Sequence, residues 1–453
     1  MAKNDLLNVL FLAAEFPPVN TTGNFRAARF VQHLPEHGIN PIVLTINEED
    51  SSRLFARPIN HALLKNLPEG LTVLRYPLTI HESSNKLAFF LRNFFRLSEN
   101  IGHKFLKTIE PDLPKIIDEY KIKAVYVSCP PFSMGDTAYA IATRFHLPLI
   151  VDMRDAWAQW TTNPHKTYFH YALKLQREKK WFSKASVIIG ATGELTEVFR
   201  KSHPGVDANK FQTIYNGFNE LTEQTPVQFK LPGEGEKFHI GYVGSFYYSP
   251  VDREMMFRKW WRRPLHKMFE YRPSMEDWLY RSPYFLLETV RQMKEEDKKL
   301  AQSIHIDFVG DKPDWLEQMV RNAGLEEQVT YHGFLNRQQL LELQHSFDAL
   351  LATSEKVVGG NHYCLPSKLF DYVSANKPIF AFVTEGEQKR FLELSGIAIL
   401  FDPDDVKGSA KKLSEVLREG RTLTAPPSFR SAFTGSHLAG QLAAFLRESI
   451  GKN

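Results

Sequence analysis

Short, strongly apolar runs alternate with amphipathic segments along this chain, and this alternation constrains the fold more than any other feature. Residues 7–14, LNVLFLAA, form a continuous apolar run of the kind that a parallel strand buried on both faces requires. A loop and a helix over residues 25–37 follow, Gly38 ends the helix, and residues 41–46 are the next strand. This right-handed βαβ unit predicts an α/β protein with parallel sheets.

The alternation restarts after a linker in the middle of the chain. Residues 222–236 are rich in Pro, Gly, Gln and Glu, a composition typical of a connection between domains. With 453 residues, the chain is too long for one ordinary core and fits two domains of about 200 residues each. We therefore predict Rossmann-like domains over residues 1–225 and 236–430, followed by a final helix within residues 431–453.

Charge and cysteine content exclude several classes of protein. The formal net charge is only +4, so the overall charge gives no support for a nucleic-acid partner. The two cysteines, Cys129 and Cys364, follow no metal or disulfide spacing, which is typical of a reducing cytosol. No apolar stretch is long enough to cross a bilayer. We expect a cytoplasmic protein without a metal site that is soluble or lies on a membrane.

A glycine-rich loop in the second half, VVGGN at residues 357–361, runs into a helix and then a buried strand. Its backbone N–H groups can approach a ligand, Pro366 suits the first helical turn, and Ser367 and Lys368 stand at the positive end of the helix dipole. The carboxylate of Asp371, three residues after Lys368, can accept hydrogen bonds from both hydroxyls of a ribose. This pattern favours a nucleotide diphosphate. An ordinary capped helix with a solvated Lys368–Asp371 pair is the alternative that the spacing leaves open.

Polar residues also gather at a strand end in the first half, in the string LIVDMRDAW. Asp152, Arg154 and Asp155 leave this strand together, either to hold an acceptor hydroxyl or to complete an internal salt bridge. Trp157 and Trp160 follow, and they either stack on a sugar or are buried.

These segments resemble the family-four-like retaining glycosyltransferases, which have the GT-B fold and use nucleotide sugars. The resemblance rests on PSKLFDYVSANKPIF in the second half and on FPP…TGNFRAARFVQHLPEHG and PLIVDMRDAW in the first. It implies two facing Rossmann-like domains with a cleft between them. The first domain would bind the acceptor, the second the nucleotide sugar, and the C-terminal helix would cross back to the first domain.

The resemblance also implies roles for individual residues. Gly23 would approach the donor phosphate, Gly244 and Ser245 would form a turn against the diphosphate, Arg281 would meet phosphate, and the base would lie near Leu335. Together with the glycine-rich loop, it gives the predicted catalytic residues Asp155, Lys368 and Arg281. The predicted donor-binding residues are Gly23, Gly244, Ser245, Gly310, Leu335, Pro366, Ser367, Lys368 and Asp371.

The function that this resemblance implies is transfer of a sugar from a nucleotide-diphosphate sugar to an acceptor hydroxyl. We expect a retaining reaction that needs no metal and no cofactor besides the donor substrate, in polysaccharide or glycolipid assembly at the cell surface. Two alternatives are a nucleotide-sugar epimerase of the same fold and a non-catalytic relative that binds nucleotide sugars. Tyr363 keeps the second alternative open, because many relatives carry a glutamate at this position.

Two segments, residues 86–107 and 253–267, combine basic and aromatic residues, and the second lies in an insertion near residues 250–280. Such a surface suits the headgroup region of an anionic membrane, and hence a glycan or lipid-linked acceptor at the inner face of the plasma membrane. Single-stranded nucleic acid would also bind such a surface but fits the rest of the chain less well. The alternative for each segment is a packed amphipathic helix.

Overall fold

The computed structural model describes residues 6–78, 100–161, 164–218, 226–229, 235–335, 337–360 and 362–452. Contacts divide the chain into two units. The first unit consists of Met1–Asn219, Phe269–Pro273 and Ala432–Asn453, and the second unit consists of Glu220–Met268 and Ser274–Ser431. Most of the predicted linker at residues 222–236 lies outside the described residues.

The first unit contains a seven-stranded parallel sheet in the order β3-β2-β1-β4-β5-β6-β7. Its strands are β1 (Leu7–Ala13), β2 (Ile39–Ile46), β3 (Val73–Tyr76), β4 (Ala124–Cys129), β5 (Leu149–Met153), β6 (Val187–Gly190) and β7 (Phe211–Thr213). Every residue of β4, β5 and β6 is buried, which is why these strands are mostly apolar. The chain builds the sheet outward from β1 to β3 and then returns to β4 on the other side of β1.

Helices connect these parallel strands, as right-handed crossovers require. In this part of the chain they are α1 (Asn24–His33), α2 (Glu48–Phe55), α3 (Ile101–Ile109), α4 (Leu113–Glu119), α5 (Met134–Arg144), α6 (Tyr168–Lys184) and α7 (Gly193–Ser202). Local sequence sets several of their starts: the Thr192 hydroxyl accepts a hydrogen bond from the Leu195 N–H at the beginning of α7.

The second unit contains a six-stranded parallel sheet in the order β12-β11-β9-β13-β15-β16 and two antiparallel strand pairs, β8–β17 and β10–β14. The strands are β8 (Val227–Phe229), β9 (Phe238–Val243), β10 (Met275–Asp277), β11 (Ile304–Val309), β12 (Val329–Gly333), β13 (Ala349–Thr353), β14 (Lys356–Val358), β15 (Ile379–Phe382), β16 (Ala398–Phe401) and β17 (Arg421–Leu423). From β9 the chain builds outward to β12 and then returns to β13 on the other side of β9.

The helices described in the second half are α8 (Pro250–Phe257), α9 (Tyr284–Glu296), α10 (Lys298–Ser303), α11 (Asp314–Ala323), α12 (Arg337–Ser346), α13 (Lys368–Ser374), α14 (Glu387–Ser395), α15 (Val406–Glu419) and α16 (Pro427–Ala432). The last helix, α17 (Gly435–Gly451), belongs to the first unit. Its residues Leu438, Leu442 and Leu446 lie in the same apolar cluster as Val9 and Phe11 of β1. This confirms the expected return of the final helix to the first Rossmann-like half. None of the helices described is both long and apolar enough to cross a membrane.

The two basic aromatic segments differ in the structure. Residues 79–99, which hold most of the first segment, lie outside the described residues, and in α3 Phe105 is fully buried, as packing requires. The second segment is a packed helix only over residues 253–257, the end of α8, where Met256 is buried. After α8 it forms two short 3-10 turns that bury none of their residues, and Trp260 and Trp261 are 58% and 57% exposed.

Candidate functional site

Two loops of the second unit meet at the carboxyl end of its sheet. Gly244 follows β9 and Gly310 follows β11, with φ angles of 110° and 132° that side chains rarely adopt. A Cβ atom on Gly310 would lie 2.9 Å from the carbonyl oxygen of Gly244. The two loops therefore approach each other closely as main chain, and only glycine fits at Gly310.

Lys368, the first residue of α13, reaches this place. Its Nζ donates a hydrogen bond to the Tyr242 hydroxyl over 2.6 Å and would lie 3.7 Å from a Cβ atom on Gly244. Burial disfavours the charged form and lowers the pKa of Lys368 to about 8. Across the part of the chain that the structure describes, no carboxylate lies within ion-pair distance of this ammonium group. A desolvated cation without a counterion favours the binding of an anion beside it.

Hydrogen bonds fix the loop after β9. The Ser245 hydroxyl donates to Asp311 over 2.6 Å, and the Tyr242 hydroxyl donates to the Ser245 carbonyl over 3.2 Å. The Val243 N–H donates to the Tyr372 hydroxyl, which α13 supplies, over 3.1 Å. These hydrogen bonds connect the loop after β9 to Asp311, which follows β11, and to α13, the helix that carries Lys368.

The other residues predicted to bind the donor in the second unit differ in exposure. Pro366 is half-buried, while Ser367 and Asp371 are exposed on α13. Leu335 is half-buried in the loop after β12. The structure thus brings Gly244, Gly310 and Lys368 together and leaves the carboxylate of Asp371 accessible one turn along the helix.

Arg281 lies in a different environment from the predicted phosphate contact. Its guanidinium group donates to Glu276 and to Glu355, whose side chains are 0% and 5% exposed. Desolvation acts to lower its pKa, but the two carboxylates outweigh this and raise it. The three groups together carry a net negative charge, which disfavours an anion beside Arg281, whereas Lys368 has no such carboxylate partner among the described residues. The sequence analysis did not predict Glu276 or Glu355 as partners of Arg281. Of the two, only Glu355 has a recognisable sequence feature, because it is a polar residue two positions after β13.

In the first unit, Gly23 lies against two charged side chains. Its φ of −73° is ordinary, but a Cβ atom there would lie 1.9 Å from Nη1 of Arg154 and 2.3 Å from Oε1 of Glu15. These two side chains form an ion pair over 2.5 Å, and Arg154 also donates to the Cys129 and Pro130 carbonyls. The Glu15–Arg154 pair thus joins the loops after β1, β4 and β5.

Asp152, by contrast, belongs to the core. It accepts two hydrogen bonds of 2.8 Å from Arg26 and one of 2.5 Å from the Tyr126 hydroxyl. Arg26 also donates to the Ile214 and Tyr215 carbonyls, each over 2.8 Å. The described hydrogen bonds of this buried pair are all made within the first unit, which indicates a structural role for Arg26 and Asp152.

Asp155 is the exposed member of the three polar residues that follow β5. Although solvent reaches it, the surrounding protein desolvates the carboxyl group enough to raise its pKa, an effect that Arg154 opposes. Trp157 is packed instead: its ring stacks between Phe132, at 5.5 Å, and Trp181, at 5.1 Å. Of Asp152, Arg154, Asp155 and Trp157, Asp155 is therefore the side chain most exposed to solvent.

Comparison with known proteins shows which protein family part of the chain resembles. Residues 283–426 match the family model described as Glycosyl transferases group 1, which covers less than half of the chain and includes Gly310 and Lys368. A search of curated proteins finds no match.

Solved structures match almost the whole chain at low identity. The lipopolysaccharide outer core galactosyltransferase WaaB, in its apo form, is 11% identical with a TM-score of 0.56, over 98% of this chain and 99% of that chain. HepE from Anabaena, in complex with UDP and glucose, is 14% identical with a TM-score of 0.50, over 98% of each chain. Sucrose-phosphate synthase from Thermosynechococcus elongatus is 12% identical with a TM-score of 0.52, over 98% of each chain.

At these identities the likeness shows the fold. The expected architecture and resemblance are thereby confirmed: the chain has the GT-B fold of glycosyltransferases and carries a glycosyl transferases group 1 domain in its second half.

Proposed function

We propose that this protein transfers a sugar from a nucleoside diphosphate sugar to the hydroxyl group of an acceptor. The observation that carries the proposal is Lys368, a desolvated ammonium group without a carboxylate partner among the described residues, beside the bare main chain of Gly244 and Gly310. The diphosphate is the part of such a donor that supplies the missing counterion.

Lys368 would act mainly on the leaving group. When the bond between the sugar and the diphosphate breaks, negative charge grows on the departing phosphate oxygen. A cation in a partly desolvated site stabilises this charge more than it would in water. Diphosphate binding would also raise the pKa of Lys368 from about 8, so the residue would be fully charged when the reaction occurs.

The finer features of the reaction follow the resemblance to the retaining family. We propose that configuration is retained and that the leaving phosphate oxygen accepts the acceptor's proton. Lys368 and the main-chain groups near Gly244 would take the place of a divalent cation, and no cofactor besides the donor would be needed. Asp371, exposed one turn after Lys368, would accept hydrogen bonds from the ribose hydroxyls.

For the acceptor we propose a glycan or a lipid-linked sugar, in polysaccharide or glycolipid assembly. The loop around Asp155 in the first unit would hold the acceptor hydroxyl. The second basic aromatic segment supports a cytoplasmic protein attached to the inner face of the plasma membrane. Trp260 and Trp261 are exposed there beside the exposed Arg262, which suits an anionic headgroup region.

The test is a transfer assay with a panel of nucleoside diphosphate sugars, beginning with UDP-glucose because HepE was solved with UDP and glucose. Mass spectrometry would identify the product, and acceptors would include short glycans and lipid-linked sugars. We expect one donor to be consumed faster in the presence of an acceptor. An epimerase would instead change the donor sugar without any acceptor, and a protein that binds no member of the panel would refute the proposal.

A further inference from the structure

A buried carboxylate lies at the point where the order of strands in the second unit reverses. In open α/β sheets, ligands bind at the carboxyl ends of the two strands that flank this switch point. Here these strands are β9, which is followed by Gly244, and β13, which is followed by Ser354 and Glu355. Glu355 therefore stands across the switch point from the loop that Lys368 approaches.

The backbone of Glu355 is held on two sides. Its carbonyl oxygen accepts hydrogen bonds from the Ser354 hydroxyl over 2.9 Å and from the Thr384 hydroxyl over 2.7 Å. Its Oε2 accepts from Arg281, which Glu276 holds from the other side. The carboxylate is thus fixed in position before any ligand arrives.

The second oxygen of this carboxylate, Oε1, is buried and accepts no hydrogen bond from any residue that the structure describes. The side chain is 5% exposed, so bulk water does not supply the missing donors. Buried polar atoms in native proteins are nearly always paired, because an unpaired one forfeits its hydration. An orphaned carboxylate oxygen at a ligand-binding edge indicates that a ligand supplies the donor.

Charge decides which part of the donor this is. Arg281 and its two carboxylates carry a net negative charge, so Glu355 repels a diphosphate. The diphosphate belongs near Lys368, which bonds to Tyr242. Tyr242 lies on β9, which pairs with β13, the strand that leads to Glu355. The place of Lys368, which suits an anion, is therefore next to the place of Glu355. The diphosphate and the sugar are likewise next to each other in a donor molecule.

We propose that Oε1 of Glu355 accepts a hydrogen bond from a hydroxyl group of the transferred sugar, and that Glu355 is a determinant of which sugar is used. This inference rests on the proposed function and adds a contact to it. Arg281 is then a positioning residue that fixes the carboxylate and does not touch the phosphate.

Glu355→Gln tests the contact with little change in shape. With its oxygen turned to Arg281, the amide has no charge and presents an NH2 donor where the carboxylate oxygen accepted a hydrogen bond from the sugar hydroxyl. We expect kcat/KM for transfer to fall by about 10- to 100-fold, the usual effect of losing a hydrogen bond to a charged group. The affinity for the nucleoside diphosphate alone, measured by calorimetry with the diphosphate of the donor that wild type uses, should change less than about twofold.

Donor analogues that lack one ring hydroxyl identify the partner. With one of these analogues, the kcat/KM of wild type should fall to the value that the Gln variant has with the complete donor. With that analogue, the substitution should have no further effect, because the interaction is already absent. Glu276→Gln is the matched control: it also removes a buried carboxylate from Arg281, and we expect it to lower the unfolding midpoint without changing the preference among analogues.

Each other outcome overturns the contact in a distinguishable way. Unchanged transfer by the Gln variant, or losses that are equal for every analogue, would show that Glu355 does not touch the sugar. If Glu355→Gln lowers both the affinity for the diphosphate and the unfolding midpoint, the role of Glu355 is purely structural. If wild type binds none of the panel of nucleoside diphosphates and their sugars, the proposed function fails first, and this inference fails with it.

Discussion

Replacing Lys368 with methionine should make the protein more stable and less active, because the folded protein keeps this cation desolvated and without a counterion. The fall of its pKa from 10.5 to about 8 corresponds to about 3 kcal/mol of lost stability for the charged form. Partial exposure reduces this cost, and methionine gives up the hydrogen bond to Tyr242, so we expect a net gain of about 1–2 kcal/mol at pH 7.

The sign of this effect depends on pH. Below pH 8 the lysine is charged in both the folded and unfolded states, and the full cost falls on the folded state. As the pH rises from about 8 to 10.5, the folded protein releases its proton before the unfolded chain does, so wild type recovers stability relative to the variant. Urea unfolding at pH 7 and pH 10.5 should therefore show a difference at the lower pH that nearly disappears at the higher one.

Activity should change in the opposite direction. We expect the Met variant to lose about 10²–10³-fold in kcat, as for loss of one group that stabilises charge in a transition state, with a smaller loss of donor affinity. Lys356→Met is the control, because that ammonium is paired with Asp404 over 2.6 Å and has a raised pKa. Its loss should destabilise the protein. A Lys368→Met protein no more stable than wild type at pH 7, or equally active, would refute the picture of an uncompensated cation.

Asp371→Ala should weaken donor binding by about 1.5–3 kcal/mol for each hydrogen bond lost to the ribose, measured by calorimetry, and an unchanged affinity would remove this residue from the site. Wild type should sediment with anionic vesicles at low salt and dissociate at high salt, whereas serine at both Trp260 and Trp261 should weaken sedimentation; vesicles that never retain wild type would contradict membrane attachment. Gly23→Ala should cost about 1–3 kcal/mol in urea unfolding, because its Cβ would meet Arg154, and an alanine variant of wild-type stability would show that the ion pair moves aside freely.

The sequence predicted the parts of this fold that local chemistry controls. Strands buried on both faces are mostly apolar, so β1, β4 and β5 were recognisable as apolar runs in the sequence. Loops follow the carboxyl ends of such strands, and Gly244 and Gly310 fall in two of them. Lys368 was found because it begins a helix after a glycine-rich loop.

Pairing between distant residues was not predictable in the same way. Asp152, Arg154 and Asp155 suggested a salt bridge among neighbours, but Asp152 pairs with Arg26 and Arg154 pairs with Glu15, each more than 100 residues away. Partners at such separations depend on the order of strands in the sheet, which spacing does not encode.

Burial of aromatic residues depends on tertiary contacts for the same reason. Trp157 is stacked inside the first unit, whereas Trp260 is exposed, although both stand among charged residues in the sequence. A tryptophan is buried only where other elements supply a surface for it. The insertion after α8 supplies few such elements, and the loop after β5 is surrounded by them.

The place of α17 within the first unit has a consequence for how the chain is made. During synthesis, β1 to β7 leave the ribosome early, but the helix that covers their apolar cluster with Leu438, Leu442 and Leu446 is translated roughly 220 residues after β7. At about 5–20 residues per second, that delay is roughly 10–45 s. The nascent first unit spends this interval with an uncovered apolar face, a natural binding site for chaperones, and a nonsense mutation just before Gly435 would leave that face open permanently.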